Sequence, residues 1–185
     1  MLTLLTQAQI IDKIGSSAAE SFAELYEQYL PKVYRYVKYR ITDTHLAEDL
    51  TSIVFEKALT KFKSYRSEKA GFSTWIFAIA RNTLIDHYRV SHKEQTVPLG
   101  DPVRAGNPEI SPEEEGEKAE EIQFLNGCIA QLSPPEQEII SLKFGAEMTN
   151  RQIARVLNLT ESNVGIIIYR AVRKLRDNFR GKQNG

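Results

Sequence analysis

The chain has 185 residues, enough for one domain or two small ones, with 42% hydrophobic residues and a formal net charge of +0. A buried core is affordable at that composition, and a zero charge taken alone argues against strong nucleic-acid binding. The zero is a cancellation. Residues 1–92 carry 12 Lys+Arg against 10 Asp+Glu, residues 93–121 carry 3 against 9, and residues 122–185 carry 9 against 5. Two mildly basic blocks therefore flank an acidic bridge. The single cysteine, Cys128, excludes an internal disulfide and fits a reducing compartment. It lies in the apolar helical pattern "FLNGCIAQL", where a small core residue is expected.

Residues 1–19 open with "MLTLLTQAQIIDKIG". There is no basic n-region, and Thr and Gln interrupt the apolar residues, so neither a signal peptide nor a membrane span is expected. A short amphipathic lead-in helix is. Next, Phe22, Leu25, Tyr26, Tyr29, Val33, Tyr34, Val37 and Ile41 recur at threes and fours, which predicts a helix. Pro31 lies inside it and should kink or split it. Thr44 is the expected N-cap of a second helix, with Glu48 and Asp49 favoured by its dipole. Leu46, Leu50, Ile53, Val54, Ala58 and Phe62 share one face of that helix. After the looser "KSYRSEKAGF", a third helix should run from near Ser73 to about Ser91, burying Trp75, Ile76, Ile79, Ala80, Thr83 and Leu84.

Residues 93–118 read "KEQTVPLGDPVRAGNPEISPEEEGEK". Proline, glycine and acidic residues leave no apolar period, so this stretch is expected to be a flexible linker. A helix carrying Ile122, Leu125, Ile129 and Leu132 follows. "SPPE" then forms a capping box, Ser133 to Glu136, with Pro134 at the first helical position. Ile139, Ile140, Leu142 and Phe144 continue that helix to a stop at Gly145. "TNRQ" repeats the device at Thr149 to Gln152. A short helix with Ile153, Ala154 and Leu157 ends at Asn158, and Thr160 can cap the last one. No strand is expected.

"MTNRQIARVLNLTESNVGIIIYRA" thus has the layout of a helix-turn-helix. Ala154 is small enough for two helices to cross closely, and Leu159 is placed to plug the junction. Arg151, Arg155, Arg170, Arg173, Lys174 and Arg176 suit phosphate contacts, although solvated surface charge explains some of them. At about 100° per residue, Ile168, Ala171 and Leu175 fall within about 40° of Val164, and Ile167 about 60° away. These make the core stripe. Ile166 shares the outer face with Ser162, Tyr169, Arg170 and Arg173. In the third helix, "FSTWIFAIARNTLIDHYR" sets Arg81, Asn82, Asp86, Tyr88 and Arg89 outward, a mixture suited to unstacked bases.

Catalytic constellations are absent. His45, His87 and His92 lack metal-ligand spacing, no glycine-rich phosphate loop occurs, and Glu113, Glu114 and Glu115 read as solvated charge. No enzyme activity and no cofactor or metal are expected.

Taken together, "FAELYEQYLPKVYRYV", "AEDLTSIVFEKAL" and "FSTWIFAIARNTLIDHYR" resemble region 2 of bacterial RNA polymerase sigma factors of the extracytoplasmic-function (ECF) type. "LSPPEQEIISLKFGAEMTNRQIARVLNLTESNVGIIIYRAVRKLR" resembles their region 4. The resemblance covers roughly residues 20–180. It implies an all-α protein with a region 2 helical bundle over 20–92, the linker over 93–118, a region 4 helix-turn-helix domain over 119–180 and a tail over 181–185, the two domains moving independently when free. It also implies a cytoplasmic bacterial protein that binds core RNA polymerase, directs it to promoter DNA and helps melt the upstream-ten element, with an anti-sigma factor as a further potential partner.

By the same resemblance, Glu48, Asp49, Ser52, Ile53, Phe55 and Glu56 would dock on core polymerase. Lys63, Arg66, Trp75, Arg81, Asn82, Asp86 and Arg89 would handle the upstream-ten element. Arg151, Arg155, Ser162, Asn163, Ile166, Tyr169, Arg170 and Arg173 would face the upstream-thirty-five element. Two departures stand out. Ser52 replaces the glutamine of the family's "DLxQ", and Gly165, Ile166 and Ile167 replace a Lys, a Ser and an Arg of "VKSRLxRAR". The second makes major-groove hydrogen bonding poorer. Two other readings fit parts of the sequence: a free-standing helix-turn-helix regulator, and a degenerate sigma-like interaction module.

Overall fold

The computed structural model describes residues 16–94 and 117–183. The lead-in over 1–15 and most of the acidic linker lie outside them. Seven α-helices follow in chain order: α1 Ser16–Lys38, α2 Thr44–Lys61, α3 Phe72–Glu94, α4 Glu117–Ala130, α5 Pro134–Ile140, α6 Asn150–Leu157 and α7 Glu161–Gln183. A 3-10 turn, Phe62–Ser64, extends α2, and a π-helical turn, Ser141–Gly145, extends α5. Among the described residues there is no strand, no His, Cys, Asp and Glu group fit to hold a metal, and no helix long and apolar enough to cross a membrane.

Local chemistry sets most boundaries. Asp43, not Thr44, is the N-cap of α2: its Oδ1 accepts from the Leu46 N–H at 2.9 Å. The carboxylate one residue earlier reaches the free amide, while the Thr44 hydroxyl accepts from Lys38 Nζ at 2.8 Å. Pro31 does not split α1. It sits on the exposed face, and buried Phe22, Val33, Tyr36 and Val37 hold the halves on either side of it. The freed carbonyl of Glu27 therefore lies toward water rather than in the core. Thr149 and Gln152 close a capping box at α6, and Asn158 ends that helix in the left-handed region at φ 54. The Thr160 hydroxyl caps α7, accepting from the Asn163 N–H at 3.2 Å.

Both halves share one core. Phe22, Tyr36 and Val37 from α1, Val54 and Phe55 from α2, and Ile76, Phe77 and Leu84 from α3 belong to the same apolar cluster as Ile139, Leu142, Met148, Ile153 and Val164. Each such side chain contributes about 1.5–3 kcal/mol by burial. A smaller cluster of Leu132, Ile140 and Ala171, with Tyr39 and Leu175 against it, also joins the two halves. The two domains, expected to move independently when free, here pack against each other. Val164 and Ala171 are buried and Ile167, Ile168 and Leu175 partly so, as the helical phase predicts. Cys128 is buried. Three expected core residues are not core: Ile53 is 39% exposed, turned to the outer side of α2, Phe144 is 50% exposed because the π turn rotates it outward, and Leu159, 37% exposed, does not plug the helix-turn-helix.

Glu136 ties α7 to the start of α5. Its carboxylate accepts from Lys174 Nζ at 2.7 and 3.0 Å, and from the Ser133 N–H and hydroxyl at 2.9 and 2.7 Å. The Lys174 bond chiefly, with Ser133 assisting against the cost of burial, holds its pKa down to about 2 from an ordinary 4.5. Because the folded value is depressed, the stabilisation is full above about pH 4.5 and is lost as the pH falls toward 2. With Lys174 largely in solvent, the effect should be about 1 kcal/mol. Urea unfolding of wild type and Glu136→Gln at pH 7 and pH 3 checks this: the difference between them should shrink at pH 3.

Candidate nucleic-acid interface

The first candidate surface is the loop from the 3-10 turn into α3. Tyr65 lies 5.0 Å from Trp75 and 5.7 Å from Phe72, centroid to centroid, and Phe72 lies 5.3 Å from Trp75. The Tyr65 hydroxyl donates to the Ala70 carbonyl at 3.1 Å, which holds the loop's shape. Trp75 is half-buried in this cluster, so one part of the indole stays reachable. Lys63 and Arg66 are exposed beside it. Arg66 Nη1 donates to the Lys63 and Tyr65 carbonyls at 2.9 and 3.0 Å, so its guanidinium is positioned by the loop backbone. Aromatic faces next to fixed cations suit unstacked bases.

On α3, Asn82, Asp86 and Arg89 are exposed at i, i+4 and i+7 and form one face. Asp86 lies 3.7 Å from Lys57, which tempers its repulsion of a phosphate. Two expected outward residues turn inward. Tyr88 is half-buried, and its hydroxyl donates to the Arg40 carbonyl at 2.9 Å. Arg81 is half-buried and its Nε is enclosed without a hydrogen-bond partner. Its charge acts on the buried Tyr36 phenol.

The second surface is α6 with α7. Arg151, Arg155, Ser162, Asn163, Ile166, Tyr169, Arg170 and Arg173 are all exposed, and the last six share the outer side of α7. Arg151 lies 3.7 Å from Glu161 and Arg173 3.9 Å from Asp177, both in solvent and easily exchanged for phosphate. Ile166 is 50% and Tyr169 68% exposed.

A third surface lies on α2. Asp49, Ile53 and Glu56 are exposed on one face, with Glu48 and Ser52 half-buried next to them. Ser52 Oγ donates to the Glu48 carbonyl at 3.0 Å, so its hydroxyl is engaged within the helix. Phe55 is not part of any surface. It is buried, with its ring 4.7 Å edge-on from Tyr26. It follows exposed Ile53 by two residues, about 160° round the helix, which turns it into the core.

Periodicity does not reveal the residues that join the halves. Tyr36 donates its hydroxyl to Glu138 Oε1 at 2.7 Å, and the Arg40 guanidinium pairs with Glu138 Oε2. Burial, with Glu138 adding to it, pushes the Tyr36 phenol well above its ordinary range, so it stays a donor. Burial opposes the Arg40 charge, but Glu138, Tyr88 and Tyr36 outweigh it and raise the pKa. Nearby, Glu147 meets Lys32 at 3.1 Å and Arg35 at 2.6 Å, and Arg35 Nε donates to the Gly145 carbonyl at 3.2 Å. These partners are separated by 98 residues (Arg40 to Glu138) to 115 residues (147 − 32, Lys32 to Glu147) in sequence, beyond any local pattern.

Comparison with known proteins matches residues 25–94 to Sigma-70 region 2 and residues 125–175 to Sigma-70 region 4. The ECF RNA polymerase sigma factor BldN of Streptomyces coelicolor is 32% identical over 167 residues, covering 90% of this chain and 63% of BldN. The chain thus spans a little under two thirds of that relative's length. The ECF RNA polymerase sigma factor SigM of Bacillus subtilis is 28% identical over 153 residues, covering 83% of this chain and 91% of SigM. Among solved structures, the sigma factor RpoE from Bartonella quintana, in complex with the anti-sigma factor NepR, superposes with a TM-score of 0.69 at 18% identity over 87% of this chain and 98% of that one. That likeness concerns the fold alone.

The junction between the halves yields a direct test. Glu138→Ala leaves the Arg40 guanidinium buried without its partner and should destabilise the chain by about 3 kcal/mol in urea unfolding. Gly145→Ala acts on the same contact sterically. An added Cβ would sit 3.1 Å from Tyr36 Cα and 3.2 Å from Tyr36 N, so the α1 backbone would have to give by a few tenths of an ångström. A loss of about 1–3 kcal/mol is expected, and small-angle scattering should show a larger radius of gyration for both variants.

Proposed function

We propose that the chain, which matches Sigma-70 regions 2 and 4 and resembles ECF-type sigma factors over most of its length, binds core RNA polymerase, directs it to promoters and helps open the upstream-ten element. It would do so as a non-catalytic subunit in the bacterial cytoplasm. We assign region 2 to residues 20–92, region 4 to residues 119–180, and the connector to the acidic stretch between them. What carries the reading is a pairing of surfaces. The half matching region 2 exposes an aromatic and basic loop, and the half matching region 4 exposes a helix-turn-helix edged with arginine.

Each surface has a task it is chemically suited to. Asp49, Ile53 and Glu56, flanked by Glu48 and Ser52, offer core polymerase an apolar residue between acids. Lys63 and Arg66 hold the backbone of a displaced strand while Trp75 and Tyr65 stack on its flipped bases, offsetting a few kcal/mol of unstacking per base. Asn82, Asp86 and Arg89 continue that surface along α3. Arg151, Arg155, Arg170 and Arg173 grip phosphates at the upstream-thirty-five element, and Ser162, Asn163, Ile166 and Tyr169 face the groove. An anti-sigma protein, as in the complex of the Bartonella relative, belongs among the partners of this reading.

A purified transcription system tests it. The chain added to core polymerase should produce promoter-dependent transcripts. Ile53→Asp should lower core affinity at least tenfold without unfolding the chain, because half-exposed Ile53 can be replaced without a cavity. Arg170→Ala with Arg173→Ala should weaken promoter binding and reduce the salt slope by about 2. A chain that ignores core polymerase yet binds duplex DNA tightly by itself is a free-standing regulator, and the proposal fails.

A further inference from the structure

Ile166 is the one residue of the isoleucine run that packing does not explain. Ile167 and Ile168 lie against the core. Ile166 is 50% exposed and lies one turn from Ser162 and Asn163 at the start of α7. In helix-turn-helix docking, the N-terminal residues of the second helix are those that reach base edges. Resting on the reading that α7 enters the major groove, we propose that Ile166 is a specificity-determining residue that contacts the C5-methyl group of a thymine in the upstream-thirty-five element.

The surroundings select DNA over a protein groove. Tyr169, Arg170 and Arg173 stand at i+3, i+4 and i+7 from Ile166, and all are exposed. An apolar protein pocket closing over Ile166 would strip water from two guanidinium groups without replacing it. A duplex supplies phosphates for them and leaves an apolar target between. The major groove offers one such target, the thymine methyl; its other marks are hydrogen-bond donors and acceptors, which isoleucine cannot engage.

Gly165 fits the same picture. An added Cβ would meet only Asn150 Nδ2, at 3.8 Å, so packing does not require glycine there. Glycine inside a helix is unfavourable by about 1 kcal/mol against alanine. The bare backbone next to Ile166 lets a base edge come closer than the family's lysine would.

The test uses holoenzyme reconstituted from the full chain and core polymerase, on a promoter found by transcript-start mapping. Each thymine of the upstream-thirty-five element is replaced singly by deoxyuridine, which removes only the methyl. At one position the affinity of unaltered holoenzyme should fall roughly fourfold, the change expected for one buried methyl. Ile166→Ala should lower affinity for the thymine duplex by a similar factor and bind both duplexes alike. Arg170→Ala should weaken both equally and keep the preference. The idea is overturned if no deoxyuridine changes the binding of unaltered holoenzyme, or if Ile166→Ala still prefers thymine. Either result leaves the sigma-factor reading standing, provided the holoenzyme initiates. A chain that never joins core polymerase removes both. The deoxyuridine comparison needs no variant, so a misfolded mutant cannot decide the outcome.

Discussion

One charged pair fixes how the two halves of this protein meet. Arg40 leaves the end of α1 and finds Glu138 on α5, and little of either side chain reaches solvent. Taking either ion out of water alone costs several kcal/mol, so no placement that separates them while keeping both buried is tolerable. The Tyr36 hydroxyl occupies the other carboxylate oxygen, and the Tyr88 ring lies 5.9 Å from the guanidinium. Gly145 then sets how closely the π turn approaches α1. The apolar cluster around these groups supplies most of the attraction. It is non-directional, and the ion pair makes it specific to one register.

That register bears on how the protein can act. A compact body of the described size has a radius of gyration of about 15 Å. The upstream-ten and upstream-thirty-five elements lie about 25 base pairs apart, or about 85 Å at about 3.4 Å per base pair. Two surfaces on the packed pair cannot reach both at once, so under the proposed function engaging both requires the halves to part. The 22 residues between α3 and α4 have an extended reach of about 75 Å, which permits it. An ion pair suits a contact that must open. Removing one partner strands a buried charge, but separating both into water rehydrates each of them.

The helices, their caps and the phase of α7 were legible in the sequence because they follow from spacing and short-range hydrogen bonds. Ser133, Glu136, Thr149, Gln152 and the inward set Val164, Ile168, Ala171 and Leu175 are all of that kind. The misreadings share a cause. Thr44 lost the cap to a stronger acceptor one residue away. Phe55 shares a helix with docking candidates but points the other way. Tyr88 looked free because its partner, the Arg40 carbonyl, lies 48 residues upstream. The contact between the halves was invisible for the same reason, since a pattern with a period of 3.6 residues carries nothing about a partner a hundred positions away. Charge blocks set the acidic stretch apart from its neighbours, but they could not show that the flanking blocks share a core.

The departures in α7 follow from a division of labour on one helix. Val164, Ile167, Ile168, Ala171 and Leu175 hold α7 to the scaffold, and Lys174 adds the bridge to Glu136. Ile167, where the resembled family has an arginine, therefore serves packing here. What remains outward is two short polar groups, Ile166, Tyr169 and two arginines. Arginine contacts to phosphate give affinity that is nearly blind to sequence. Discrimination must then come from the few groups nearest the start of the helix, or from the shape of the duplex they rest on. A helix anchored this firmly presents those groups with little freedom of its own. Even a weak apolar contact can then be selective, because little ordering entropy opposes it.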